Sequence, residues 1–415
     1  MLFSAYNIIL ERGSLSSLLF NTSSGVICEL ENEVLSLYEN SPDISSDNPY
    51  YDELVDLEIL SPAPYRGLPD SKDKHRLTMI LSLSEACNLS CFYCFQREVE
   101  KSPLQPFSFF PRLLSLIEEY ADKEPDLEEL RVVWFGGEPL LWKKDIVEYS
   151  HHLIDLCERL DIKYFASLIT NGTLLDRHFI CALDSLRIRT VQITVDGDKD
   201  TFTTYKKGNG RLWHQLNAAL PALVKVATVT LRINLDRENY DAIKHYLKEL
   251  ADSGILNNVN IHIAKIETSD DSHSLSQKEF YAKKLQLIRY LLTHLHYSRT
   301  ESLFKDLQAV DTSCRLMSSG SLVIDSKGRC HKCDERVGTQ SSVSITDTPG
   351  TIIQEINRNY LESHPDCIQC PIYPICRGEC PEHWSKEDCK YKIDYLSSLA
   401  LMKAKNQCEQ DLGDE

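Results

Sequence analysis

The sequence predicts an α/β protein built on a parallel β-sheet, with a small α+β unit before it and a cysteine-rich region after it. From Leu77 onward, six strand patterns alternate with helical patterns, as in a parallel sheet of either an open doubly wound fold or a partial barrel. Residues 1–70 instead alternate as a short meander followed by two helices. Beyond Thr312, regular patterns are sparse and cysteine is dense, which is typical of a domain organised by metals.

The apolar periodicity places each element. In the N-terminal unit, it predicts strands at 6–10, 17–20 and 26–30 and helices at 31–38 and 50–57. A linker follows, punctuated by Pro62, Pro64, Gly67 and Pro69. The parallel strands are predicted at 77–83, 131–135, 163–169, 190–195, 226–234 and 259–265. Helices are predicted at 110–120, 145–160, 174–183, 213–224, 240–253 and 277–295, with a closing helix at 391–407.

Composition excludes several classes of function. The 415 residues include 45 Lys and Arg against 62 Asp and Glu, a net charge of −17. Nucleic-acid binders and proteins of anionic membrane surfaces need basic patches, so we expect neither partner. No apolar run approaches the roughly 18 residues that a membrane span requires. Residues 1–20 lack the basic start of a signal peptide, which indicates a cytoplasmic protein.

Cysteine is the outlier of the composition. Fifteen cysteines form an odd count without an export signal, which argues against a disulfide framework. Cysteines three and four residues apart cannot easily bridge each other, but their sulfurs can converge on a metal. Two groups have such spacing, and the scattered residues Cys28, Cys157, Cys181 and Cys408 are interpreted as ordinary thiols. The groups are Cys87, Cys91 and Cys94, and then Cys314, Cys330, Cys333, Cys367, Cys370, Cys376, Cys380 and Cys389.

The first group follows the first parallel strand and offers three thiolates, one short of a closed site. Its spacing, Cys-x3-Cys-x2-Cys, resembles the signature of the radical S-adenosylmethionine (SAM) enzymes. The resemblance implies that Cys87, Cys91 and Cys94 hold a [4Fe–4S] cluster whose fourth iron is chelated by SAM. It also implies that Tyr93, the aromatic residue before the last cysteine, packs near the adenine.

Four further motifs of that family occur in the expected order, each at the end of a predicted strand. Gly136-Gly137-Glu138 resembles the GGE motif, in which the glycines let the backbone approach the methionyl amine and Glu138 accepts from it. Asn171 lies in a Thr-Asn-Gly segment that resembles the one near the SAM ribose. Thr194 takes the serine position of the S-x-DG segment, and Arg232 begins an R-x-N stretch.

The chain departs from the family pattern after Gly197. A histidine–aspartate pair often follows there, with an arginine nine residues on. Here Phe202 and Thr203 replace the pair and Lys206 replaces the arginine. Lys206 can meet a carboxylate as a point charge but not bidentately.

The resemblance implies a partial (β/α)6 barrel. It also implies that the cluster reduces SAM to methionine and a 5′-deoxyadenosyl radical, which abstracts hydrogen from an unactivated carbon. So reactive a radical needs a dry, enclosed site, which a barrel interior supplies. An electron donor such as flavodoxin or ferredoxin is then required.

The second group resembles the seven-cysteine SPASM domain of radical SAM enzymes that act on peptides and proteins. The resemblance assigns Cys367, Cys370, Cys376 and Cys389 to auxiliary [4Fe–4S] cluster II. It assigns Cys314, Cys333 and Cys380 to auxiliary [4Fe–4S] cluster I, whose fourth position either stays open or is reached by Cys330. The alternative outside the family is a zinc ribbon of Cys330, Cys333, Cys367 and Cys370 in an interaction protein that is not an enzyme.

Asp334 follows Cys333 directly. In sulfatase-maturing members of the family, an aspartate in that position takes a proton from the substrate. A carboxylate beside a cluster could act as a general base, and a solvated surface aspartate is the plainer interpretation.

We therefore predict four regions: a unit at 1–70 resembling a leader-recognition module, a radical SAM barrel at 75–305, a SPASM domain at 312–390, and a C-terminal helix and tail at 391–415. Such modules bind a leader as an added strand, although a purely structural cap fits the same pattern. The leading hypothesis is a peptide maturase that installs a carbon–carbon or thioether crosslink in a ribosomally made precursor peptide. The enzyme alternative is sulfatase maturation, which forms formylglycine.

Overall fold

A computed structural model gives the fold of the chain. It describes residues 2–40, 45–61, 75–97, 108–268, 270–310, 314, 316, 318–358, 367, 370–378, 380 and 385–411. The predicted linker of Pro62, Pro64, Gly67 and Pro69 lies outside them. Among the described helices, none is both long enough and apolar enough to cross a membrane.

The N-terminal unit contains the predicted meander and helices. β2, β3 and β4 form an antiparallel three-stranded sheet, and β1 pairs with β5 at the other end of the unit. Leu19 and Leu30 belong to a small apolar core that also includes Leu54 of α2, whereas Phe20 belongs to the main core of the protein. The elements are β1 (Leu2–Phe3), β2 (Asn7–Arg12), β3 (Ser16–Asn21), β4 (Ile27–Glu31), α1 (Asn32–Asn40), α2 (Tyr51–Asp56) and β5 (Leu60–Ser61).

The centre of the protein is a parallel sheet in which β6 to β11 are neighbours in chain order. A doubly wound sheet would reverse this order, so the partial barrel is confirmed. The strands are β6 (Arg76–Ser82), β7 (Glu129–Phe135), β8 (Lys163–Thr170), β9 (Ile188–Val195), β10 (Thr228–Leu235) and β11 (Val259–Lys265). The helices are α3 (Phe110–Lys123), α4 (Lys143–Leu160), α5 (Arg177–Ala182), α6 (Lys199–Tyr205), α7 (Gly210–Leu223), α8 (Tyr240–Asp252), α9 (Gln277–Thr293) and α10 (Thr300–Leu303).

Local sequence fixes the ends of these helices. Asp176 and Asp198 cap α5 and α6 by accepting from the backbone N–H groups of Phe179 and Thr201. Ser276 and Glu279 form a reciprocal capping box at the start of α9. Because β6 to β11 all pair in parallel, their carboxyl ends lie at one edge of the sheet.

The cysteine-rich region differs from its prediction, because part of it extends the main sheet. β12 (Ser321–Ile324) is buried throughout and pairs in parallel with β6, and β13 (Arg329–His331) and β14 (Val343–Ser344) follow in antiparallel order. This region therefore has an apolar core besides its cysteines. Its helices are α11 (Pro349–Asn357), α12 (Tyr373–Cys376) and the closing helix α13 (Cys389–Asp411).

Candidate functional site

A cavity of about 640 Å³ opens at the carboxyl ends of the parallel strands. This volume is within the usual range for sites that enclose a small molecule, roughly 300–1,000 Å³. Strands β7 to β11 and the loop after β6 all contribute to its wall. Of the predicted site residues, the cavity is lined by Cys87, Cys91, Tyr93, Cys94, Gly136, Gly137, Asn171, Thr194, Arg232 and Asp334.

The loop that carries the first three cysteines is fixed by backbone hydrogen bonds to the end of α6. The N–H of Ser90 donates to the carbonyl of Lys206 at 3.0 Å, and the N–H of Phe92 donates to that of Tyr205 at 3.1 Å. Within the loop, the N–H of Cys94 donates to the carbonyl of Cys91 at 3.3 Å. These hydrogen bonds hold the irregular loop in place, and its three cysteines line the cavity.

The chemistry of the thiols fits an iron–sulfur cluster. Burial raises the pKa of Cys87, and it raises the pKa of Cys91 to about 11 against the opposing charge of buried Lys206. Bound iron would reverse this, because a coordinating thiol is deprotonated outright. In the described part of the chain, no three His, Cys, Asp or Glu residues surround a single ion position. A four-iron cluster spreads its thiolates over different irons and needs no such arrangement.

Gly136 and Gly137 allow β7 to approach the start of the cysteine loop. A Cβ on Gly137 would lie 2.3 Å from the carbonyl oxygen of Ala86 and 2.6 Å from that of Glu85. Gly136 has a φ of +130°, and its Cβ would lie 2.4 Å from the carbonyl oxygen of Ser84. The glycines therefore serve the approach of backbone to backbone. Their contact with a methionyl amine stays a prediction.

Glu138 joins the ends of β7 and β8. Its carboxylate is buried and accepts hydrogen bonds from the N–H of Leu140, the N–H of Asn171 and the hydroxyl of Thr170, at 2.7–2.9 Å. Burial raises the pKa of Glu138, and these three donors oppose the rise. In the structure, the carboxylate is hydrogen-bonded to these three donors. Its bond to the methionyl amine stays a prediction.

Asn171 lies beside the cysteine loop. Its amide donates to Asn88 at 2.9 Å and comes within 3.8 Å of the Cys87 sulfur. Its backbone is fixed by Glu138, which links the loop to the ends of β7 and β8. The predicted proximity to the SAM ribose is untested, but the residue is placed in the cavity wall.

Lys206 is a buried cation in the cavity wall. It is 1% exposed, and its ammonium donates to the carbonyl of Thr194 at 2.9 Å and to the Thr194 hydroxyl at 2.8 Å. The Asp196 carboxylate lies 3.7 Å away. Lys206 and Thr194 thus form one polar unit at the end of β9, and Lys206 stands in the position of the family's arginine.

Tyr93 connects the cysteine loop to the ends of β9 and β10. Its hydroxyl lies 2.8 Å from both oxygens of Asp196 and accepts from the amide of Asn234 at 3.2 Å. Asn234 also donates to Asp196 at 3.0 Å. Sequence reasoning did not name Asp196 or Asn234 as site residues, although both lie inside the DG and R-x-N motifs that carried the resemblance.

Two further residues of the cavity wall were missed. Gln96 is 3% exposed, and neither atom of its side-chain amide has a hydrogen-bond partner within the described structure. Glu85 is 2% exposed and has one oxygen without a partner there. Buried polar atoms are nearly always paired, so these three atoms are available to water or to a ligand in the cavity.

Asp334 brings the cysteine-rich region into the same cavity. It begins the 3₁₀ turn Asp334–Arg336 directly after Cys333. Arg232 lines the same cavity, and its side chain donates to Asn234 at 3.1 Å. Burial lowers the pKa of Arg232, whereas the charges of Asp334 and Glu335 raise it. A carboxylate of the C-terminal region therefore lies at the cavity that the three cysteines line.

Four cysteines of the second group lie in two pairs. Cys314 and Cys333 influence each other electrostatically, and so do Cys370 and Cys389. Cys330 lies in β13 and is 1% exposed within the apolar core. Burial raises its pKa to about 12. This placement favours an open position at auxiliary site I over ligation by Cys330. The ligand sets, Cys376 and Cys380 included, stay predictions.

Comparison with known proteins agrees with this geometry. Residues 81–271 match the radical SAM superfamily. The cysteine-type anaerobic sulfatase-maturating enzyme of Clostridium perfringens strain 13 is 23% identical over 76% of this chain and 92% of its own length. The radical SAM cyclopropyl synthase TigE of Paramaledivibacter caminithermalis is 22% identical over 92% of this chain and 89% of its own length.

Solved structures share the fold. Native anSMEcpe with bound AdoMet has a TM-score of 0.60 and 18% identity, and covers 80% of this chain and 100% of its own. The same protein has been solved with a Cp18Cys peptide. Streptococcus suis SuiB bound to S-adenosylmethionine has a TM-score of 0.51 and 16% identity, and covers 94% of this chain and 100% of its own.

We expect the Gly137→Ala substitution to remove most iron from the first site, about four atoms per chain, because its Cβ would meet fixed backbone oxygens. Iron analysis after anaerobic reconstitution measures this. Gly350→Ala is the control, since no atom lies within 4 Å of its added Cβ. Full iron in Gly137→Ala would show that the close approach is dispensable.

Cys330 should resist alkylation at pH 8 in the folded protein without iron. A thiol whose pKa is raised to about 12 stays protonated at that pH, and only the thiolate reacts. Mass spectrometry after iodoacetamide treatment should find Cys181, which is exposed, modified first. Equal labelling of the two would contradict the buried placement of Cys330.

Proposed function

Since this chain is a radical SAM enzyme, a SAM-dependent iron–sulfur protein, we propose that it matures a peptide. In this proposal, it abstracts hydrogen from a ribosomally made precursor and installs an oxidative crosslink, carbon–carbon or thioether. The observation that carries the proposal is the N-terminal meander. Among the described residues, β4 pairs only with β3, so its outer edge offers the backbone groups that a leader strand would need.

A relative that aligns with more of this chain supports the same function. The alignment with the cyclopropyl synthase spans 92% of the chain, whereas that with the sulfatase-maturating enzyme spans 76%. Peptide-bound anSMEcpe adds that an enzyme of this fold holds a peptide. The substrate of this chain is in our proposal a peptide whose leader binds at β4.

In this proposal, the cavity residues have separate roles. Cys87, Cys91 and Cys94 would hold a [4Fe–4S] cluster, which when reduced and bound to SAM supplies the 5′-deoxyadenosyl radical. Tyr93 and its partners hold the loop against two strand ends, which keeps the thiols in place. Lys206 offers a fixed positive charge for the SAM carboxylate.

The cysteine-rich region would supply the remaining parts. Its cysteines fit the auxiliary clusters of SPASM-type enzymes, which would accept the electron left when the substrate radical closes its new bond. Asp334 would act as the base that takes the proton released in that step. Its position in the cavity wall, within the influence of Arg232, supports this role.

Sulfatase maturation is the second candidate, and the same Asp334 favours it. Oxidation of Cys or Ser to formylglycine also needs a base beside the radical site. The sulfatase-maturating relative is 23% identical over 76% of this chain. Sulfatase maturation assigns no role to the N-terminal meander of this chain.

Anaerobic co-expression with each small open reading frame beside the gene, followed by mass spectrometry, distinguishes the two candidates. We expect one peptide to lose a pair of hydrogens. If all of these peptides stay unmodified and a sulfatase peptide is oxidised instead, crosslinking is rejected.

Replacing Asp334 by Asn should lower product formation by about 10²–10⁴-fold, the usual contribution of a general base. Release of 5′-deoxyadenosine without peptide should continue, since Asp334 is not a ligand of the first site. Asp122→Asn, an exposed carboxylate on α3, is the control. Product formation at the wild-type rate in Asp334→Asn would remove Asp334 from the mechanism.

A further inference from the structure

The sheet of the N-terminal meander has apolar residues on both faces. Only one face packs against the helices of its own unit. Leu19 and Leu30 belong to the unit's own core. Phe20, which is fully buried, belongs to the main core, and Ile8 and Leu10 pack against that core. Ile372 and Ile375 of the cysteine-rich region are members of the same core. The meander is therefore seated on the rest of the protein.

A buried hydrogen bond fixes this seat beside a proposed iron ligand. The hydroxyl of Thr22, a fully buried residue, donates to the carbonyl of Pro371. Pro371 directly follows Cys370, so a displacement of Cys370 would also move this carbonyl. The N–H of Thr22 donates to the carbonyl of Tyr6 at 3.0 Å, and the Thr22 hydroxyl lies 3.3 Å from the same oxygen. Without the hydroxyl, the N–H still pairs with the Tyr6 carbonyl.

A second connection starts at another proposed ligand. Helix α13 begins at Cys389 and packs along both β2 of the meander and α9 of the barrel. Tyr395 of this helix stacks on Tyr281 and donates to Asp306 at 2.7 Å, which fixes the helix to the barrel. Helix α13 therefore links Cys389 to both β2 and the barrel.

We infer that iron loading at the site of Cys370 and Cys389 fixes the N-terminal meander in its seat. The inference deepens the proposed function and rests on its assignment of auxiliary cluster II. Between Cys367 and Cys389, the described residues contain one helix of four residues, α12. Metal binding contributes free energy of folding where regular structure is sparse, and here it would add to the apolar contacts of Ile372 and Ile375. Iron at this site would thus help to hold the meander, with its leader-binding edge, in a defined position on the rest of the protein.

Hydrogen–deuterium exchange on the whole, reconstituted protein tests this without any peptide. In a Cys370→Ala/Cys389→Ala variant, amides of β2 and β3 should exchange about tenfold faster or more, because the meander would no longer be fixed against the rest of the protein. The matched control is Cys87→Ala/Cys91→Ala/Cys94→Ala, which empties the first site and should leave β2 and β3 as in the wild type. Iron is measured on every sample.

Substitution of Thr22 tests the contact between the meander and Pro371 without changing a proposed iron ligand. Thr22→Val removes the hydroxyl at nearly constant volume and leaves the Pro371 carbonyl without its donor. We expect wild-type iron content and exchange in β2 and β3 faster by about tenfold. Thr22→Ser keeps the hydroxyl and should restore wild-type exchange.

The outcomes separate this inference from the function on which it rests. Loss of about four irons in Cys370→Ala/Cys389→Ala with unchanged exchange in β2 and β3 would contradict the inference and leave the cluster assignment intact. Wild-type iron in that variant would reject the assignment and the inference together. Equally fast exchange in the first-site variant would show general destabilisation and would also overturn the inference.

Discussion

The structure depends on one constraint, which is to hold three thiols on an irregular loop in a fixed arrangement. The loop has no sheet partner, so other groups must satisfy its backbone. Ser90 and Phe92 donate to the carbonyls at the end of α6, and Gly137 brings β7 against the start of the loop. Tyr93 adds a side-chain connection to β9 and β10. Neighbouring strands of the barrel thus meet at this loop.

Charge in the cavity follows from the same constraint. Lys206, Glu138 and Asp196 are each at most 2% exposed, and each has fixed hydrogen-bond partners. Buried charges are tolerated when paired in this way, and they keep their strength because water does not screen them. In a chain of net charge −17, Lys206 places positive charge where a carboxylate-bearing cofactor is expected. Lysine in the arginine position is therefore compatible with SAM binding.

Much of the fold could be predicted from the sequence, because long periodic segments have strong signals. The predicted barrel strands agree with the structure to within about two residues at each end. Helix α6 was missed, since it is short and begins within a segment interpreted as a motif. β12 was missed because its four residues are all buried and show no alternation. Its pairing with β6 depends on tertiary packing, which periodicity does not report.

The candidate site was predictable only in part. Motif resemblance named residues such as Cys91 and Asn171 that line the cavity, because strand ends converge at one edge of a parallel sheet. It did not name Asp196 or Asn234, whose importance comes from pairing across strands. Gln96 has no signal in the sequence, since only burial without a partner distinguishes it. Cys330 and Cys333 are near in sequence, but β13 buries Cys330 in the core.

The central claim is that this chain holds a radical SAM cluster and two auxiliary clusters. Its most direct test is the content of iron, sulfide and zinc per chain after anaerobic reconstitution. We expect about twelve irons, enough for three four-iron clusters, and about eight in the Cys87/Cys91/Cys94 triple variant. About eight in the wild type would mean that one auxiliary site is empty. Zinc with little iron would contradict the assignment of the clusters, and with it the proposed chemistry.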